Sequence, residues 1–217
     1  NVRNNVGVFD VSHMGEFRAK GPKAKEFMQY VTVNDVAALE DGQVQYTCLP
    51  NGKGGIVDDM LVYRVADDHY FMVPNAANID KDWKWMSKIA EEMGLKVGEE
   101  FVNESEQWAQ LAVQGPNALK AMQKLTEANV VDMKYYTFQI ITFAGIENII
   151  FSTTGYTGAG GCEIYMPAKY AKNVWDAVFE AGKEFGIKPA GLGCRDTLRL
   201  EMGFCLYGHE IDDTISP

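Results

Sequence analysis

A twelve-residue segment occurs twice in this chain, and it constrains the fold more than any other feature. Gly21–Thr32 returns as Gly115–Thr126, with identical residues at six of the twelve positions, including the opening Gly-Pro. Ala24, Phe27, Met28 and Val31 follow the i, i+3, i+4, i+7 stripe of an amphipathic helix, and each proline stands where a first turn tolerates it. A second helical pattern also recurs. Ile79, Trp83, Met86 and Met93 run along one face before Gly94; Ala171, Val174, Trp175, Val178 and Phe185 do so before Gly186. Both glycines fall where a helix C-cap belongs. The spacing from opening Gly to helix Trp, Gly21 to Trp83 and Gly115 to Trp175, differs by only two residues between the copies.

Between these landmarks each copy carries β-branched apolar runs and one Gly-rich turn, Asn51–Gly55 and Thr157–Gly161. The first turn has one strand before it and two after; the second has roughly the reverse. The expectation is an α+β fold, internally duplicated, with two interleaved β/α subdomains that share strands and form a cleft, the default place for a ligand. The sequence division falls at 1–104 and 105–217. No G-x-G-x-x-G follows an opening strand, so a Rossmann fold has no support.

Composition narrows the function. Lys+Arg 20 against Asp+Glu 30 gives a formal charge of −10, the wrong sign for a protein that gathers nucleic-acid or membrane phosphates. No apolar run is long enough to span a bilayer. Cys48, Cys162, Cys194 and Cys205 form no C-x-x-C pair and read as free, buried thiols. His13, His69 and His209 match no zinc spacing.

Four stretches could carry chemistry. In Gly54–Val65, alternation places Val57, Asp59, Leu61 and Tyr63 on one strand face and Ile56, Asp58, Met60 and Val62 on the other. Two acids entering a central strand are costly unless paired. Asp58 has a plain reading, bonding turn amides, which suits Asp59 less well. Phe9–Phe17 holds Asp10, Ser12 and His13, but the alternation separates His13 and no nucleophile elbow is present, so a strand end with satisfied polar groups is expected. Glu163 enters a strand after the second Gly-rich turn; it could accept paired hydrogen bonds from a guanidine-like heterocycle edge, or be a solvated strand end. In Lys188–Gly203 a glycine loop feeds a helix on which Arg195 and Arg199 share a face, as a carboxylate anchor or bridged to Asp196 or Glu201.

Taken in order, these motifs resemble the glycine cleavage T-protein family of tetrahydrofolate-binding aminomethyltransferases. The resemblance rests on Val8–Gly15, Gly54–Asp59, Asn75–Asn78, Gln114–Pro116, Gly155–Gly158, Pro189–Glu201 and Leu206–Glu210, spread over essentially the whole chain. It implies two interleaved folate-binding subdomains, with an N-terminal segment and a C-terminal barrel domain that this chain lacks, so that the piece alone binds folate weakly or not at all. It also implies an enzyme that transfers the one-carbon unit of an aminomethyl-lipoyl H-protein to tetrahydrofolate, releasing ammonia.

By position, the resemblance makes Asp59 the catalytic carboxylate, which would accept a proton and stabilise an iminium-like carbon. Asn75, Glu163 and Arg195 would line the folate pocket, with Tyr46, Leu61 and Tyr156 packing around the cofactor and Met14 as a further wall. The partners implied are lipoylated H-protein and tetrahydrofolate, with no nucleic acid and no membrane, for a monomer in the cytoplasm (the mitochondrial matrix in a eukaryote). A related folate-dependent demethylase, an oxidase-associated folate domain and a non-catalytic folate-binding module remain as alternatives. Phe204 stands where some members have Tyr.

Overall fold

The computed structural model describes residues 1–217. In chain order the elements are β1 (Gly7–Asp10), β2 (Phe17–Lys20), α1 (Ala24–Val31), β3 (Val44–Pro50), β4 (Ile56–Ala66), β5 (His69–Pro74), α2 (Ile79–Glu92) and β6 (Phe101–Asn103). There follow β7 (Trp108–Gln114), α3 (Ala118–Met122), β8 (Phe138–Phe143), β9 (Ile146–Ser152), β10 (Gly161–Pro167), α4 (Ala171–Gly182), β11 (Lys188–Pro189) and α5 (Leu192–Glu201). The fold is α+β, with two sheets.

The duplication is visible in the strand order. One sheet runs β3-β4-β5-β2-β6 and the other β8-β9-β10-β7-β1-β11. Each copy is a strand, a helix, three antiparallel strands, a second helix and a short last strand. The copies differ by β1, which lies between β7 and β11. The repeated Gly-Pro is repeated in conformation too. Gly21 has φ 126° and Gly115 has φ 129°, a region that disfavours any side chain. In both, the glycine carbonyl accepts from the alanine three residues on, Ala24 or Ala118, at 3.0 Å. The glycine N–H in turn donates at 2.8 Å to the turn between equivalent strands, at Asp68 or Gly160. The prolines therefore stand in the turn just ahead of each helix.

Two compact units result. One comprises Met14–Glu106 with Cys205–Pro217, the other Asn1–His13 with Gln107–Phe204. Relative to a division at 104/105, the first thirteen and last thirteen residues change places. The reason is pairing: β1 is bonded to β7 and β11, whereas Ile56 N–H and the Asn51 amide donate to the carbonyls of Asp212 and Asp213. The sheets have no strand in common; the interleaving comes from these terminal segments.

α1 and α2 pack on one face of the first sheet, and α3 and α4 on one face of the second. In the first, Ala24, Phe27, Met28 and Val31 are buried as their spacing predicts, against Met60, Val62, Met72 and Phe101. Full burial of such side chains contributes roughly 1.5–3 kcal/mol each. Trp83 of α2 stacks on Phe101 with ring centroids 4.7 Å apart. In the second unit Val174 and Val178 of α4 meet Leu111, Val113 and Ile164. Gly94 and Gly186, at φ 79° and 64°, close the helical segments as expected. No helix is long and apolar enough to cross a membrane. None of the four cysteines is in a disulfide, but only Cys48 and Cys162 are buried; Cys194 is exposed on α5 and Cys205 partly so.

Candidate functional site

In the first unit the candidate residues assemble around β4. A bulge shifts the β3–β4 register, so that Leu49 opposes Asp58 while Pro50 opposes Ile56. The extra residue, Val57, turns into the helix-covered core, and Ile56 joins Cys48 and Ile211 on the other side. This corrects the strict alternation: Ile56 and Val57 exchange faces. Asp58 and Asp59 keep opposite faces. Asp58, fully buried, points toward the start of α2, and Asp59 lies on the face of its neighbour Cys48.

Asn75, just past the end of β5, joins the two acids. Its side-chain amide donates to Asp59 Oδ1 at 2.9 Å, to the Asp59 carbonyl at 3.0 Å and to Asp58 Oδ1 at 3.0 Å. Its backbone N–H reaches Asp58 Oδ2 at 3.2 Å, and Asn78 Nδ2 reaches Asp58 Oδ1 at 2.7 Å. Asp58 therefore does not bond the amides of the Gly-rich turn. Asn51 Oδ1 holds those instead, accepting from Lys53 and Gly55. A carboxylate at the N-terminus of α2 is also favoured by the helix dipole.

The Tyr46 hydroxyl also acts on Asp59 and favours its charged form. Burial and the neighbouring Asp58 charge push its carboxyl up to about 6, against the pull of the Tyr46 and Asn75 hydrogen bonds. Burial and the Asp59 charge likewise push the Cys48 thiol up to about 11. Leu61 is directly opposite Tyr46 in the β3–β4 register, on the Asp59 face. Gly15 N–H donates to the Pro74 carbonyl at 3.2 Å, which brings Met14 beside the end of β5 and Asn75. Tyr207 donates to the Ile56 carbonyl at 3.0 Å, with Lys81 Nζ 3.9 Å from its ring centroid.

The second unit holds the other group. Glu163 on β10 is buried, so it is no solvated strand end. Gln110 Nε2 donates to its Oε1 at 3.0 Å and the Thr154 hydroxyl to its Oε2 at 2.5 Å. Burial raises the Glu163 carboxyl, opposed by the Arg195 charge and by these two hydrogen bonds. Arg195 lies over the Tyr156 ring at 4.6 Å, and the Phe204 ring stacks on Tyr156 with centroids 5.9 Å apart. A cavity of about 140 Å³ opens beside Thr154, lined by Gln114, Tyr135, Gly155, Gly158 and Gly160.

The two arginines of α5 separate in role. Arg199 is buried, bonded to Asp196 at 2.9 Å and to the Phe204 carbonyl at 3.1 Å, whereas Arg195 is on the Tyr156 ring. At the end of β1, Asp10 accepts from the Ser12 N–H and hydroxyl in a local turn. Burial and the Arg195 charge lower His13. No triad forms.

Four buried polar residues escape sequence reasoning. Gln110 and Thr154 give no motif signal, because their role depends on strands β7 and β9 flanking β10. Glu16 and Asp82 are buried with no donor on either carboxyl oxygen. Asp82 falls on the apolar stripe of α2, one turn beyond Asn78, and that misfit was the available signal.

The family description "GCVT N-terminal domain" matches residues 1–217. The chain is 61% identical over 216 residues to an aminomethyltransferase of Bacteroides fragilis, and 59% identical over 217 residues to one of Porphyromonas gingivalis. It covers 58% and 59% of those relatives, so it spans a little over half the length of the curated proteins that it matches. A crystal structure of glycine cleavage system aminomethyltransferase T from Bartonella henselae superposes with TM-score 0.85 at 32% identity, over all of this chain and 56% of that one. A heterotetrameric sarcosine oxidase from Corynebacterium sp. U-96 shares the fold, with TM-score 0.59 at 14% identity over 87% of this chain and 89% of that one. Because the family match runs from end to end, the chain belongs to the GCVT N-terminal domain family.

Proposed function

We propose that the protein containing this chain is a tetrahydrofolate-dependent aminomethyltransferase of glycine cleavage. It takes the one-carbon unit from the aminomethyl-lipoyl arm of H-protein and transfers it to tetrahydrofolate; the carbon's bonds to nitrogen and sulfur break, and the two amine protons of tetrahydrofolate leave with ammonia and the dihydrolipoyl thiol. The observation that carries this reading is Asp59: a buried carboxyl that accepts from the Asn75 amide at 2.9 Å beside the Tyr46 hydroxyl, pushed up to about 6 by burial and the Asp58 charge and so ionised and basic at neutral pH. Such a carboxylate takes a proton from the folate amine and offers negative charge to the cationic carbon as ammonia departs. Asn75 and Tyr46 fix its orientation, with Leu61 and Met14 as apolar walls.

Tetrahydrofolate supplies the nucleophilic amine, and the residues suit its recognition. Its aminopyrimidine edge presents N–H donors, and Glu163 offers a held, buried carboxylate. Gln110 Oε1, buried beside it without a donor, supports the same fit. Arg195, kept flat by the Tyr156 ring, suits the anionic parts of folate. The partners are lipoylated H-protein and tetrahydrofolate, met by a cytoplasmic monomer; the bacterial relatives and the acidic composition support this setting.

The test is an assay of the full-length protein with aminomethylated H-protein and tetrahydrofolate. Equal yields of methylenetetrahydrofolate and ammonia are expected. A folded, full-length protein that makes neither would overturn the reading.

A further inference from the structure

Asp82 is a carboxyl with nowhere to put a negative charge. It is fully buried in the first turn of α2, and no N–H or O–H of the protein reaches either of its oxygens. It lies one helical turn beyond Asn78, whose amide bonds Asp58, so the Asp82 and Asp58 carboxyls belong to the same end of α2 and act on one another's charge. Two carboxyl groups can share a hydrogen bond only if one of them carries the proton. Asp58 already accepts three N–H groups, from the Asn75 backbone, the Asn75 amide and the Asn78 amide, an arrangement suited to an anion. Asp82 accepts none. The proton therefore belongs on Asp82.

We propose that Asp82 is a neutral carboxylic acid at physiological pH, that its O–H donates to Asp58, and that this bond makes Asp82 a positioning residue for Asp59. The route is short. The Asp82 proton fixes the Asp58 carboxylate, Asp58 fixes the Asn75 amide, and the same amide holds the Asp59 carboxylate. The pair carries one negative charge where two would stand beside a third at Asp59. The charged groups that act on Asp82 are Asp58 and Asp59 from β4 and Lys81 from its own helix; burial and the two acids outweigh Lys81 and push the carboxyl up to about 10. The placement of the proton stands independently of the proposed reaction. Only the consequence for Asp59 rests on it.

The test reads the proton directly, without turnover. In protein labelled at the aspartate carboxyl carbon, NMR at pH 8 should show one aspartate still protonated, and that signal should vanish in Asp82→Asn. A spectrum with no protonated aspartate at pH 8, or a signal that survives in Asp82→Asn, overturns the proposal. A second comparison separates donation from packing. Asp82→Asn keeps an N–H donor for Asp58, and Asp82→Leu keeps only the volume. The Asn75 side-chain amide resonances should stay near their wild-type positions in the first and move in the second. Equal movement in both variants, or none in Asp82→Leu, contradicts the positioning role.

Discussion

Asn75 donates from one side-chain amide to both Asp58 Oδ1, at 3.0 Å, and Asp59 Oδ1, at 2.9 Å, although adjacent strand residues project to opposite faces. It can do so because it stands just beyond the end of β5, whose Pro74 pairs with Met60, and there reaches around the edge of β4. The basicity of Asp59 thus depends on a residue sixteen positions away in sequence.

Removing a donor from Asp59 destabilises its anion. A hydrogen bond to a charged group is worth about 1.5–3 kcal/mol, and one pKa unit about 1.4 kcal/mol. Asn75→Ala or Tyr46→Phe should therefore move the acidic limb of the pH–rate profile of the full-length enzyme upward from about 6 by roughly one unit. An unmoved limb in both variants would remove Asp59 as the titrating group.

Glu16 weakens the fold as pH rises. Burial alone pushes its carboxyl up to about 8 from an ordinary value near 4.5. Between those values the unfolded chain releases a proton that the folded protein retains, so stability falls with pH. Glu16→Gln removes the effect. Its denaturation free energy should exceed that of wild type by an amount that grows from pH 4.5 to 8, reaching a few kcal/mol, and is constant above. Urea titrations at pH 5, 7 and 9 check the trend.

Gly55 is held by contact with the chain. A Cβ there would land on the Asp213 carbonyl oxygen, which the Asn51 amide also binds. Gly55→Ala should cost about 1–3 kcal/mol and raise amide exchange at Ile56, whose N–H donates to Asp212. Gly52→Ala, at an open position where φ is 74°, controls for backbone strain alone.

Arg195 should resist conservative replacement. Lysine keeps the charge and loses the flat guanidinium that stacks on Tyr156. Arg195→Lys should raise the KM for tetrahydrofolate about five- to twentyfold, for roughly 1–2 kcal/mol of lost stacking and paired hydrogen bonding, with kcat much less affected. Steady-state kinetics with varied folate decides this.

Much of this architecture was legible because it obeys periodicity. The stripe Ala24, Phe27, Met28 and Val31, the capping glycines and the repeated Gly-Pro turn all followed from local rules. What escaped is non-local. The β3–β4 bulge that exchanges Ile56 and Val57 depends on pairing with Pro50, and the crossing of both termini depends on strand partners far along the chain. Within the candidate site, Asp59, Asn75 and Glu163 drew notice through motif and resemblance. Gln110, Thr154 and Asp82 did not, because a polar residue on a strand or helix reveals its partner only when the other element is in place.

On the proposed reading the Asp59 carboxylate does chemistry rather than hold the fold. Asp59→Asn in the full-length protein, assayed with aminomethylated H-protein and tetrahydrofolate, tests it most directly. The expected rate of methylenetetrahydrofolate formation is about 100- to 10,000-fold below wild type, with tetrahydrofolate affinity and thermal stability nearly unchanged. A variant that turns over within a few-fold of wild type would contradict it.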